Sequence, residues 1–385
     1  MAVYTIKSGV SQSSIEGGCK LVKDSVGRLH TVYFRTATKS NIFHSYSDDN
    51  GKTWTEEPIT NDTTYNQYYP SIAIDSQGYL HVVWIGESAS SPTYYQIRYS
   101  KYTTSWSSPV DLTSGSYSQY YSFYSPYIVI DSNDYLHVVW YGKSSSSPTY
   151  DQIRYLKYTN SWSSAINITS ENYNQQCPSI AVDSNNYLHV VWEGVSPSYP
   201  DSGPQIRYSK YVSSWSPPID LTTESDYRPQ HYPTIAIDSN NNLHVVWEGT
   251  FSSPYTSNFI RYSKYTTSWS SPIMISSGNT YEWEPHIVID SSNNLHVVWY
   301  GDDPTYYEVI RYTEYTTDWS NPISLLYSAD EACYFPNPLW TSKTGFCFVF
   351  IGEGVSDIVK FYITEPVIKR MMSFIQFERS SMRKY

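Results

Sequence analysis

Charge is what this sequence has least of. Only 16% of its 385 residues are Asp, Glu, Lys or Arg, and the net charge is −11. That balance excludes a nucleic-acid backbone as partner, because phosphate binding needs clustered Lys and Arg. Long apolar runs are missing as well. None approaches the ~18 residues that cross a bilayer as a helix, so no membrane span is expected. The opening stretch "MAVYTIKSG" has no basic-then-apolar leader. Cysteine is sparse: Cys19, Cys177, Cys333 and Cys347 follow no metal or disulfide spacing and read as mostly free thiols. No window reads as a long amphipathic helix before the last twenty residues.

Aromatic residues are abundant by contrast, at 17% with 41 Tyr and 13 Trp. Such side chains pack well on a pleated surface, so the expectation is an all-β chain. Internal repetition then sets the architecture. "DSQGYLHVVW" at Asp75–Trp84 recurs as "DSNDYLHVVW", "DSNNYLHVVW", "DSNNNLHVVW" and "DSSNNLHVVW", with a first copy at Asp24 and a decayed one at Thr341–Phe350. The marker His or Cys falls at positions 30, 81, 137, 189, 244, 296 and 347, in steps of 51 to 56 residues.

Each unit parses into four short strands; in the second these are "PSIAID", "LHVVWIG", "QIRYSKY" and "WSSPVDLT". "IAID" and "LHVVW" are nearly continuous apolar runs, as in sheets buried on both faces. Four antiparallel strands per ~50 residues is the signature of a β-propeller, and the markers predict seven blades. Residues near Val3 to Lys7 match a fourth strand without a blade of its own, so an N-terminal strand is expected to close the last blade and remove an open edge. In the competing reading the C-terminal tail supplies that strand. The domain is thus drawn as 1–365, followed by a tail at 366–385. The tail carries +4 against −15 for the rest. Its Ile368, Met371, Met372 and Ile375 fall at helical spacing, which reads as an amphipathic docking or assembly element.

The stretch "SYSDDNGKTW" and the repeated "IRYSKYTTSW" resemble the sialidase-like propeller proteins called BNR or Asp-box repeat proteins. The resemblance covers the chain except its tail. It implies that Ser47, Asp49, Gly51, Thr53 and Trp54 form a structural hairpin between the third and fourth strands of a blade. In the later hairpins only the Trp remains, at 106, 162, 215, 269 and 319. A sialidase further requires an arginine cluster, a Tyr–Glu nucleophile pair and an acid/base Asp. The nearest local match is "YFRTA" with Arg35, lacking the Ile-Pro that follows in the family, so no catalytic residues are assigned.

The repeated His residues lie on different blades, too far apart for ~2 Å bonds to one metal ion, and read as bonded to turns or neighbouring blades. Arg98, Arg154, Arg207, Arg261 and Arg311 recur at one position and read as stacked on Trp or paired between blades. The Asp/Asn-rich turns lack a calcium loop's ligand spacing. No metal or cofactor is expected.

By strand parity the Asp-box lies opposite the face formed by the fourth-to-first and second-to-third connections. Those loops are rich in Tyr, Ser, Asn and Pro, residues that give broad amphipathic contact and adaptable hydrogen bonds. Candidate ligand contacts there are Tyr68, Tyr69, Tyr124, Gln176, His231, Tyr232, Trp283 and Glu284, with Glu193 and Glu248 as hydroxyl acceptors. The expected function is non-catalytic recognition of a carbohydrate or cell-surface ligand, outside the cell or on a particle. The alternatives are a structural subunit self-assembling into a filament or shell through the tail, and a sialidase-like glycoside hydrolase.

Overall fold

The computed structural model describes residues 2–10, 13–14, 20–119, 126–223, 228–250, 258–276, 281–302, 309–326, 332–341, 345–353 and 357–363. Every regular element among them is a β-strand, and the strands form an all-β propeller of six four-stranded sheets and one five-stranded sheet. Sheet I, the five-stranded one, holds Ser13–Ser14, Leu21–Lys23, Leu29–Thr36, Ser40–Ser47 and Thr55–Pro58. Sheet II follows with Gln67–Ile74, Leu80–Ser88, Ser91–Tyr102 and Val110–Asp111, and sheet III with Tyr127–Ile130, Leu136–Ser144, Ser147–Tyr158 and Ile166–Asn167. Sheet IV is built from Gln175–Val182, Leu188–Gly194, Gln205–Tyr211 and Ile219–Asp220. Sheet V contains Gln230–Ile237, Leu243–Thr250, Asn258–Tyr265 and Ile273–Met274. Sheet VI contains Glu282–Ile289, Leu295–Gly301, Val309–Tyr315 and Ile323–Leu326. In the closing sheet Ala332–Thr341, Gly345–Glu353 and Asp357–Ile363 are completed by Ala2–Val10, which pairs antiparallel with the last of them from Ala2↔Ile363 to Val10↔Asp357. The competing tail-strand reading and the assembly residues Ile368, Met371, Met372 and Ile375 fall outside the described residues, as does Tyr124.

First strands meet one another at the centre. Ile128 N–H donates to Ser71 Oγ at 3.4 Å, Ile235 N–H to Ser179 Oγ at 3.4 Å, and Thr234 Oγ1 to the Pro285 carbonyl at 3.0 Å. Lys20, fully buried in front of sheet I, joins two more sheets: its N–H donates to Asn337 Oδ1 at 2.9 Å and its Nζ to the Pro70 carbonyl. First-strand residues of sheets I to IV border an apolar recess of about 400 Å³.

Between sheets the core is aromatic. Trp84, Trp140, Trp192, Trp247 and Trp299 have no solvent exposure. Each is the fifth residue of a second strand, at the end of its apolar "LHVVW" run, and burying such a side chain contributes about 2–3 kcal/mol. The guanidiniums of Arg98, Arg154, Arg207 and Arg261 stand 5.4–5.9 Å from the Trp84, Trp140, Trp192 and Trp247 rings on the facing strand. A glutamine that opens the first strand of sheets II, IV and V (Gln67, Gln175, Gln230), and in sheet III Gln119, which precedes that strand, accepts both the indole N–H and the Arg Nη1. The arginines are therefore structural in their own sheets, as the repeat implied.

The histidines are structural too. Nδ1 of His81, His137, His189, His244 and His296 meets the hydroxyl of Tyr99, Tyr155, Tyr208, Tyr262 and Tyr312 at 2.7–2.8 Å. Nε2 faces the Asp that opens the turn, at 3.1–3.5 Å. That Asp also caps its own turn: Asp183 Oδ1 accepts the N–H of Asn185 and of Tyr187, both at 2.9 Å. Neighbouring turns are tied edge to edge, with the Ser184 and Ser239 N–H groups donating to Asn241 and Asn293 Oδ1 at 3.0 Å. These side chains thus latch turns together. Among the described residues no group of three or more His, Cys, Asp or Glu is arranged to hold a metal ion.

The outer strands are shorter than the eight residues of "WSSPVDLT" predicted. In sheets II to V the fourth strand is two residues, and the hairpin Trp makes only an isolated bridge such as Tyr102↔Trp106. In sheets II, IV and V a Ser-Ser-Pro or Ser-Pro-Pro intervenes, and proline cannot donate to the ladder, but sheet III has the same gap with Ser163-Ser164-Ala165, so proline is not its general cause.

Candidate functional site

A first strand begins on one face of the ring, and its partner returns to that face. The third-to-fourth-strand hairpin therefore lies on the opposite face, and with it the Asp-box. There Thr53 donates its N–H (2.8 Å) and hydroxyl (2.7 Å) to Asp49, Gly51 N–H donates to Ser47 Oγ at 2.8 Å, and Trp54 Nε1 donates to the Gly51 carbonyl at 2.9 Å. Gly51 has φ 84°, which a side chain would strain. The Thr53 N–H above all holds the Asp49 carboxylate down at about 2. All of these bonds are internal to the hairpin, which makes it a self-contained scaffold.

On the other face the first strands of sheets II, IV, V and VI carry the same irregularity. The residue before proline has positive φ: 52° at Tyr69, 51° at Cys177, 52° at Tyr232 and 49° at Glu284. Register shifts there, between Tyr68 and Ser71, Gln176 and Ser179, His231 and Thr234, Trp283 and His286. Such bulges re-aim side chains at sheet ends. Left-handed backbone at a non-glycine residue is strained and persists only where neighbours fix it.

At Tyr232 and Glu284 the neighbours that fix it are carboxylates of the preceding sheet. Glu193 Oε2 accepts the Tyr232 N–H at 2.9 Å, and Glu248 Oε2 accepts the Glu284 N–H at 3.1 Å. Glu193 and Glu248 each follow the repeated "HVVW", a position that is Ile85 in sheet II, Tyr141 in sheet III and Tyr300 in sheet VI. Across each strand pair this position meets the bulge residue: Tyr68↔Ile85, Gln176↔Glu193, His231↔Glu248 and Trp283↔Tyr300. The repeat is thus broken toward ionisable and aromatic groups over sheets IV to VI.

These groups form one electrostatic unit. His231 Nδ1 stands 3.2 Å from Glu193 Oε2. Burial opposes a charge on His231, but the Glu193 carboxylate and the more distant Glu248 outweigh it and raise the imidazole to about 9. Burial lifts the Glu248 carboxyl to about 8, against the pull of His231 and of the Glu284 N–H. Both groups of the unit thus hold a proton more tightly than they would in water. Cys177 lies beneath, its thiol pushed well above its ordinary value by burial and then by Glu193. Glu284 Oε1 accepts from the Tyr300 hydroxyl at 3.4 Å. Trp283 stacks with Tyr300 at 5.4 Å and with Tyr281 at 5.6 Å, and Tyr281 is exposed. Gln176 Nε2 donates to Asp151 Oδ2 at 3.2 Å, extending the polar strip to sheet III.

Of the contacts expected from sequence, Gln176, Glu193, His231, Tyr232, Glu248, Trp283 and Glu284 thus come together on one arc. Tyr68 and Tyr69 lie apart in sheet II, edge-on to Phe34 at 5.1 and 5.3 Å, and Tyr69 is buried. These two aromatics fill the gap between sheets I and II. Asp151, Cys177, Tyr281 and Tyr300 were missed. For Tyr300 the cue was available, since it occupies the same variable position as Glu193 and Glu248. Arg35 pairs with Glu56 at 2.8 Å and lies 3.8 Å over the Phe43 ring, within sheet I.

No family model matches this chain, and no curated protein matches it in sequence. Solved structures do share its fold. An ulvan lyase of a new polysaccharide lyase family superposes with TM-score 0.66 at 9% identity, over 94% of this chain and 95% of the lyase. The BP39L lectin from Burkholderia pseudomallei gives 0.56 at 11% identity, over 94% and 97%. The NanB sialidase from Streptococcus pneumoniae, as its K499G mutant, gives 0.51 at 11% identity, over 77% and 67%. At such identities the likeness shows the propeller fold alone.

Proposed function

We propose that this chain is a non-catalytic, carbohydrate-binding propeller of seven blades, acting outside the cell or on a particle surface through the arc on sheets IV to VI. The blade count treats Ser13–Ser14 and Leu21–Lys23 as one split inner strand. Both pair with Leu29–Thr36, at Ser13↔Arg35 and at Leu21↔Thr31, as the two halves of a bulged first strand do elsewhere. A carbohydrate role agrees with the lectin, lyase and sialidase that share the fold.

One observation carries the non-catalytic reading: Glu193 and Glu248 are engaged as struts between sheets, each with an oxygen on a strained backbone N–H. The groups left at the rim are His231, Tyr232, Trp283, Tyr300 and Gln176, which suit stacking and hydrogen bonding to sugar rings. A glycan array tests this: His231→Ala and Trp283→Ala remove a signal that Asp49→Ala leaves intact. No signal on any glycan refutes the carbohydrate reading.

A second reading is favoured by the cationic His231 between two carboxyls, a set able to move protons in polysaccharide cleavage. Reducing ends or unsaturated products released from a polysaccharide panel, and abolished by His231→Ala, would overturn the non-catalytic reading. Self-assembly through residues 366–385 rests on the basic, apolar sequence of that tail. Polymers that persist after its removal exclude it.

A further inference from the structure

The arc is built of acceptors. Asp151, Glu193, Glu248 and Glu284 contribute four carboxyl groups, and the imidazole among them is already engaged by Glu193. The repeat arginines, which an acidic sugar would require, are held below the surface. Arg207 is shared among Glu171, Asp220 and Gln175, and Arg261 donates to Gln230.

A further atom points to a missing hydrogen-bonding partner. Among the described residues, Thr250 Oγ1 is buried without a hydrogen-bond partner. It lies two residues beyond Glu248 on one strand, so both side chains project from the same face of sheet V. Asn258 pairs with Thr250 across the ladder and donates to Glu248 Oε1 at 3.5 Å. A buried hydroxyl left unmatched is destabilising, and a ligand group that hydrogen-bonds to it, an ammonium among them, would recover that loss.

We propose that this site selects sugars bearing a free amine and rejects acidic sugars. The inference rests on the carbohydrate reading above. An ammonium group between Glu248, Glu284 and Thr250 donates three hydrogen bonds where acceptors are in excess, and the Trp283–Tyr300 stack offers ring faces to its charge. A uronic or sialic carboxylate would instead find His231 already paired with Glu193 and would crowd the remaining carboxyl groups of a partly desolvated site. Amine binding also draws Glu248 toward its ionised form, so an amine that enters already protonated displaces the Glu248 proton into solvent.

The test is calorimetry on the full chain with glucosamine oligomers, their fully N-acetylated counterparts and oligogalacturonate, in two buffers of different ionisation heat. The free-amine oligomer is expected to bind about tenfold more tightly than the acetylated one and to release a proton. In Glu248→Gln both the preference and the proton release disappear, while the melting temperature is retained because the amide oxygen still accepts the Glu284 N–H. Equal or tighter binding of the acetylated or acidic oligomer overturns the inference and leaves the carbohydrate reading standing. Absence of binding to these and to every glycan on an array sinks both.

Discussion

Glu282→Gln is predicted to stabilise the fold, by an amount that grows with pH. In sheets II to V the equivalent glutamine takes the Trp indole N–H at 2.7–2.9 Å. Sheet VI has Glu282 there, fully buried, and neither its carboxyl oxygens nor Trp299 Nε1 forms a hydrogen bond of good geometry. Burial pushes this carboxyl up, against the opposing influence of Ser276, Arg311 and Trp299. A folded-state value above the unfolded one means that the group's stabilisation is complete below the unfolded value and is lost as pH rises through the folded value. An amide is neutral at every pH and supplies the acceptor that the other sheets use. Restoring one or two such bonds contributes about 1–3 kcal/mol. In a domain this large that is about 2–6 °C in melting temperature. The assay is thermal unfolding of both proteins from about pH 4, where both side chains are neutral, to about pH 8. The expected difference is small at the acid end and widens with pH. A variant less stable throughout, or a difference flat with pH, would refute the reasoning.

Acid should unfold the ring through its histidines. Burial lowers His81, His137, His244 and His296 and takes His189 to about 4. A lowered base contributes stability above its unfolded value and loses it as pH falls, so tryptophan fluorescence should report weakening below ~6.5. An unchanged denaturation midpoint down to about 4 would contradict this. Gly194→Ala should destabilise by about 1–3 kcal/mol, as overpacking does. A Cβ there would stand 2.1 Å from Gln175 Oε1, and chemical denaturation should show a lower midpoint. Asp49→Ala should lower the melting temperature modestly and leave glycan affinity unchanged, because its hydrogen bonds are confined to the hairpin on the far face. Loss of glycan binding in that variant would misplace the site.

Strand periodicity and the recurrence of "LHVVW" made the sheets legible, since buried apolar strands and turn residues leave local marks. The structural roles of the histidines and arginines were legible for the same reason: a group repeated in every sheet serves every sheet. Glu193 and Glu248 were visible as departures from the repeat, but their action on Tyr232 and Glu284 was not, because it spans 39 and 36 residues. The positive φ at Tyr69, Cys177, Tyr232 and Glu284 was hidden as well, since none of these residue types favours it. The outer strands were overestimated, because a tryptophan that resembles part of a strand makes only a bridge.

The pairing of Ala2 with Ile363 has a consequence for how the molecule is made. The strand Ala2–Val10 is synthesised ahead of all the other sheets, and its partner Asp357–Ile363 only after them. Until then the ring has an open seam, and sheet I lacks the closing sheet that Lys20 would reach through Asn337. Closing so long a loop adds little entropy per extra residue, but so non-local a contact slows folding. A circular permutant that joins residues 363 and 2 by a short linker and opens a turn between sheets would make that seam a hairpin, and the last step of assembly among the first.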